Sequence, residues 1–357
     1  MEMKTEKIKF KNKSLRITRC RFHIKKTLLI CFLFSIGLSF FAQPALTKIG
    51  TYKCGRQPKQ VLFSPDNKYV IMPLLEDTGF DIFSVADKKV IKRITPPNAE
   101  KEGFAEGLFI PEKNAFFVSQ MTTANIYEYS YPDFKLRRTI STTGNWSKFI
   151  AWSSEKQLLA VSNWISNDIS LIDYGTGKCI RKLKTGAAPR GLYFINGGKE
   201  IISLSFDSGK IEKFDVYTGK RLDSVTIENG AMRHIVMNSS KTTAYISDMY
   251  YRSIYEFDMA TFKITRKTKV FNNPNTIDLL NDRWLFVSSR GPNNKEDYTK
   301  RSPENGKIQI IDTTTMQVVT SFEGGNQPTG LDVSDNGNLL CFSNFQDENI
   351  ELYEISY

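Results

Sequence analysis

Arg190 and Arg233 lie 43 residues apart, each just after the opening residue of a β-rich segment; Lys148 stands two residues after such an opening residue, and Arg290 at the end of a second strand. Cations gathered on one face bind carboxylate, phosphate or sulfate through charge-assisted hydrogen bonds, and arginine adds bidentate geometry. Two guanidinium groups crowded together repel, so either a bound anion or an internal carboxylate, Asp248 for example, is expected between them. Trp146 and Trp164 could stack on a sugar or another planar group, or simply pack between neighbouring sheets. His234 is the one histidine beyond residue 42, and with Asp248 it could supply a general base. No G-x-S-x-G elbow or H-E-x-x-H motif surrounds it, so a structural imidazole is the plainer reading. Glu106, Asp248, Asn163 and Asn344 offer the oxygen ligands that Ca²⁺ takes. C-x-x-C-H is absent, which removes c-type haem attachment, and no other cofactor is implied.

For such residues to converge, the chain must repeat. Segments 310–344 and 171–205 share one order: a β-rich run ending in Asp, a turn, a second strand, a Gly-rich link, an apolar strand, an Asp/Asn/Gly turn, and another strand. Taking the first residue of each innermost strand as a ruler gives Pro58, Phe104, Trp146, Pro189, Met232, Pro274 and Pro328, at spacings of 46, 42, 43, 43, 42 and 54. A period near 43 with four short strands per unit is the propeller period. The long interval holds a hydrophilic insertion at about 290–305, read as a surface loop. In the third unit the four strands are predicted near Phe149–Ala151, Leu158–Ser162, Asp168–Asp173 and Cys179–Leu183, with Trp152 and Trp284 as core.

The predicted fold is therefore all-β: a seven-bladed β-propeller of four-stranded antiparallel blades. The seventh unit ends after its third strand, near Ile355, while a surplus strand at Leu46–Lys53 precedes the first unit. Pairing the two completes the last blade and closes the ring without an open edge.

The repeat resembles the YVTN-type propeller family, including YncE-like exported proteins and, more distantly, lactonase-type propellers. SPDNKYV (Ser64–Val70), AVSN (Ala160–Asn163) with LIDYGTGK (Leu171–Lys178), and QPTGLDVSDNG (Gln327–Gly337) carry the resemblance, which spans residues 46 to 357. It implies a fold more than a chemistry, because propellers host many functions. The lactonase-type likeness implies a possible Ca²⁺ site among the residues named above.

Residues 1–42 differ from the rest. Basic residues recur from Lys4 to Lys26, then Thr27–Phe41 is almost wholly apolar and ends beside Ala42. This reads as a signal peptide cleaved near Ala42, followed by a single domain over 43–357 and a periplasmic or secreted destination; an uncleaved leader would be its membrane anchor. Removing ten Lys/Arg and two Asp/Glu from the 49 and 38 of the chain leaves a net charge of about +3, so nucleic acid is not an expected partner. Cys54, Cys179 and Cys341 remain and are read as buried single thiols. The expected function is an exported, monomeric binding scaffold whose channel mouth takes a small anion or an envelope protein. A lactone-directed hydrolase or lyase is the alternative.

Overall fold

Alternation of apolar and polar residues over runs of six or seven sets the strands, and the turns between them are built by side chains that accept backbone N–H groups. In the turn after Asp173, for example, Oδ1 of the aspartate accepts both the backbone N–H and the hydroxyl of Thr176, and Asp215 with Thr218 and Asp258 with Thr261 repeat the device. These aspartates shape turns, as their spacing predicts. The computed structural model describes residues 42–97, 102–297 and 300–357, so the proposed leader, apart from Ala42, lies outside the described residues.

Among the described residues, twenty-eight strands form seven separate four-stranded antiparallel sheets. Six blades take their strands in chain order. The seventh is assembled from both ends: Pro328–Val333, Leu339–Asn344 and Asn349–Ser356 are followed outward by Ala45–Lys53, whose ladder runs from Ala45 opposite Ser356 to Lys53 opposite Asn349. The third-blade strands are Ser147–Ser153, Leu158–Asn163, Asp168–Asp173 and Cys179–Lys184, within a few residues of expectation. Apolar clusters fill the gaps between successive blades, such as Phe80, Phe116 and Tyr129 between the first two. Trp284 is core, but Trp152 is only half-buried; its indole N–H donates to Glu112 at 2.6 Å, because the strand's end meets solvent there. Of the three thiols only Cys341 is fully buried, while Cys54 and Cys179 are half-buried.

At the seam the fit is close. Ser343 donates to the Pro58 carbonyl at 2.9 Å, Asp332 accepts the Phe63 N–H at 2.6 Å, and a Cβ on Gly330 would stand 2.6 Å from the Gln60 backbone.

The innermost strands of blades two to seven share a feature that periodicity does not reveal. Each pairs at its first residue, then slips by one before pairing resumes three residues on: Pro189 faces Ser205 and Leu192 faces Ser203, and Met232 faces Asp248 and Ile235 faces Ile246. The slip is a β-bulge, which sets two consecutive residues against one partner and re-aims their side chains. In five blades a second-strand serine (Ser119, Ser162, Ser247, Ser288, Ser343) accepts the N–H of the second bulged residue. Ser119, Ser247 and Ser288 also donate to a bulge carbonyl of the next blade, so the bulges are braced from two sides.

In the third blade the pairing is Ser147 with Asn163, so the equivalent first residue is Ser147 and not Trp146. Trp146 instead takes the positive φ also found at Gly103, Ala188, Asn273 and Gln327, each one residue before the inner strand, and at Gln57, one residue before the Pro58 bridge to Leu74. This one-residue correction puts Lys148 in register with Arg190 and Arg233.

Candidate functional site at the channel mouth

Lys148, Arg190 and Arg233 are first bulged residues of three consecutive blades, with Asn275 following in the next. Glu106 and His234 are second bulged residues. Lys59 stands after Pro58 in the first blade, its backbone N–H donating to Pro73. A second tier sits above. The residues after each second strand are Leu75, Met121, Trp164, Phe206, Met249, Arg290 and Phe345, and each donates its N–H to the residue just before the inner strand of its own blade. The mouth is thus a cationic floor under a largely apolar and aromatic collar, enclosing a cavity of about 610 Å³.

Across that floor, Nη2 of Arg190 and of Arg233 each reach the same Oε1 of Glu106, at 3.3 and 3.4 Å. The three side chains are 2–3% exposed and come from blades two, four and five, so they meet in the channel itself. The carboxylate between the two arginines is therefore Glu106 and not Asp248. Asp248 is spent on its own blade: Oδ1 accepts the N–H groups of Ala231, Tyr250 and Tyr251, and Oδ2 accepts the Tyr255 hydroxyl.

One carboxylate does not satisfy this floor. Nε of Arg190 and Nη1 of Arg233 are buried without a hydrogen-bond partner. Lys148 has no carboxylate within ion-pair distance among the described residues; its Nζ lies 3.7 Å from the Trp164 ring centre and 5.6 Å from that of Trp146, a cation–π arrangement. Lys59 and Arg290 each sit 5.2 Å from the Phe345 ring centre, and Arg290 also donates to the Gln327 amide oxygen. Asp207 lines the same cavity from its exposed rim.

The electrostatic consequences are consistent. Burial, then the Arg233 charge, brings Arg190 down to about 9, and burial also lowers Arg233. Lys148 is held well below the ordinary lysine range by burial and then by Arg190. Burial alone would raise Glu106, but Arg233, Arg190 and Lys59 keep its carboxyl below the usual value. His234 is pushed down to about 4 by burial and by Arg233, so it is neutral at pH 7.

The other candidates fall elsewhere. His234 packs its ring on Phe149 and accepts the Ile277 N–H at 3.5 Å, with no hydrogen bond to Asp248. Asn163 accepts from Ser147 and donates to Asp168 and Ser170, while Asn344 accepts from Gly325 and donates to Asn349 and Glu351; both are struts within a blade. Glu106, Asp248, Asn163 and Asn344 are thus each engaged by protein groups. Among the described residues no three of His, Cys, Asp and Glu gather as a metal-ligand set. Trp146 is 39% exposed at the rim and Trp164 half-buried in the cavity wall. Asn275, Phe206 and Phe345 escaped sequence reasoning; Asn275 alone had a signal, one residue after Pro274, as Arg190 is after Pro189.

At its other end the channel carries a second cavity of about 540 Å³, with apolar walls that include Phe149, Tyr193 and Ile235. Asp278 lies there; it accepts the Val333 N–H, as Asp332 accepts that of Phe63. Burial pushes both carboxyls up, and Asp278 raises Asp332 further. Among the described residues no helix is long and apolar enough to cross a membrane.

No family model matches the chain. A curated relative, Antigen Lp49 of Leptospira interrogans, is 38% identical over 316 residues, covering 85% of this chain and 69% of the relative. Among solved structures, a chain of the Kuenenia stuttgartiensis hydrazine synthase superposes with a TM-score of 0.72 at 13% identity, covering 84% of this chain and 95% of that one. At that identity the likeness is one of fold alone.

Proposed function

The chain belongs to the family of the Leptospira antigen Lp49, and from that premise we propose that it is an exported propeller that binds a small anion in its channel mouth. The ligand carries two or more negative charges on a flat or apolar body. The observation that supports this most directly is the pair of buried, unpartnered donors, Arg190 Nε and Arg233 Nη1, in a cavity where five cations face the single buried carboxylate of Glu106. Even with Lys59 and Lys148 held below the ordinary lysine range, the three arginines outnumber Glu106 and the exposed Asp207, an excess of positive charge that an anion offsets. The collar of Trp164, Phe206 and Met249 suits the body of such a ligand. The word antigen in the relative's name fits export, as does the leader read in residues 1–42. Kinship with YVTN-type propellers rests on the repeat motifs and adds to the scaffold reading.

A thermal-shift panel of inorganic phosphate, citrate and a sulfated disaccharide tests it. Replacing both Arg190 and Arg233 with Gln should weaken binding of the best anion by about 1–3 kcal/mol, roughly tenfold or more, with the fold retained. If no anion stabilises the wild type more than the double variant, the cations serve only the internal ion pairs. Stabilisation by an acidic peptide alone would transfer the site to an envelope protein partner.

A further inference from the structure

Two lysines enter the channel mouth, and their surroundings differ. Lys148 lies against the Trp164 ring, and both Glu106 and Asp207 act to keep its charge. Lys59 shares the Phe345 ring with Arg290, its Nζ has no carboxylate within ion-pair distance among the described residues, and its strongest charged neighbours are Arg233, Arg290, Arg190 and Lys148. The Glu106 carboxylate, which feels the Lys59 charge, is already engaged by two arginines. The Lys59 main chain is held by its N–H bond to Pro73 and, through the Pro58 carbonyl, by Ser343 of the last blade. A half-buried amine on a fixed backbone, facing a cavity and ringed by like charges, is the setting in which lysine becomes a nucleophile.

We propose that Lys59 captures carbonyl compounds as an imine, taking an aldehyde or 2-oxo acid whose anionic group is held by Arg190, Arg233 and Arg290. The neutral amine adds its lone pair to the carbonyl carbon while the C=O π pair moves to oxygen, giving a carbinolamine once protons have passed from nitrogen to oxygen. Loss of that oxygen as water forms the C=N bond, so amine plus carbonyl becomes imine plus water, with no oxidant or reductant. Burial and the four cations hold the amine well below the ordinary lysine range, so its neutral form is more accessible than that of an exposed lysine. The anionic part of the ligand rests on the binding function proposed above; the reactivity of the amine does not.

The test is reductive trapping of the full chain at pH 7 with glyoxylate and borohydride, read by intact mass and peptide mapping, with propionaldehyde as an uncharged control. The expected result is one dominant adduct on Lys59, formed at least tenfold faster than on an exposed lysine such as Lys135, and slower with propionaldehyde. Lys59→Arg should lose that adduct, while Lys135→Arg, at an exposed position outside the mouth, should still label at Lys59. Labelling of Lys59 no faster than Lys135 overturns the imine, and in that case a surviving phosphate shift leaves the anion site standing. Fast labelling by glyoxylate and propionaldehyde alike, with no phosphate shift, supports the amine and overturns the anion site.

Discussion

Glu106→Gln removes the one buried negative charge from the channel floor while nearly conserving shape. The two Nη2 atoms it holds are each 3.3–3.4 Å from a single oxygen, so they stand no more than about 6.7 Å apart. At an effective dielectric near 20, two unit charges at that separation repel by about 2.5 kcal/mol. Both also lose the charged partner that offsets their desolvation, keeping only a neutral acceptor, which places the total near the 3–5 kcal/mol typical of breaking a buried ion pair from one side. The midpoint of thermal unfolding should fall by roughly 5–10 °C, since a domain of this size moves about 2 °C per kcal/mol. Denaturant unfolding at low salt is the assay, repeated with phosphate. Phosphate should restore more stability to the variant than it gives the wild type, because it then supplies the missing charge as well as filling the mouth. In an Arg190→Gln/Arg233→Gln background, Glu106→Gln should be neutral or stabilising, since it then removes an unpaired buried charge. If the single substitution costs under about 0.5 kcal/mol, or costs the same in both backgrounds, the arginine–carboxylate cluster is not the electrostatic centre described here.

Three further outcomes are expected. Deleting 46–53 strips the outer strand from the last blade, together with the 2.6 Å Lys48–Glu351 ion pair, and should expose an edge that lowers thermal stability sharply or drives aggregation; unchanged unfolding would refute the latch. His234, flanked by Arg233, Arg190 and Glu106, has a folded value near 4 against an ordinary 6.5, so its contribution is intact above pH 6.5 and lost as pH falls towards 4. It amounts to at most about 3 kcal/mol; denaturant midpoints at pH 7 and 4.5 should therefore converge less for wild type than for His234→Asn, and equal slopes would contradict this. Asp332 is displaced the other way, its carboxyl raised by burial and by Asp278, so its favourable protonated state is lost as pH rises. Asp332→Asn keeps an acceptor for Phe63 and should gain stability over wild type at pH 8 relative to pH 5 in the same assay.

How much of this was legible in the chain depends on whether a feature is local or collective. The turn aspartates, the four strands of the third unit to within a few residues and the completion of the last blade by residues 46–53 were readable, because strand periodicity and turn chemistry act over a few residues and the 43-residue repeat multiplies a weak signal. Arg190 and Arg233 were readable as a pair for the same reason, since equal places in adjacent repeats become adjacent places on a ring. The repeat could not place Trp146, because a bulge adds one residue without changing which types occur; only the ladder of Ser147 with Asn163 shows the shift that aligns Lys148 with the arginines. Nor could it select Glu106 over Asp248 as their counter-charge. That choice is made across the channel, where side chains 84 and 127 residues apart meet because a closed ring brings non-adjacent blades face to face. Sequence spacing thus determined which residues share a tier, and ring closure with the re-aiming of bulged side chains decided which of them touch.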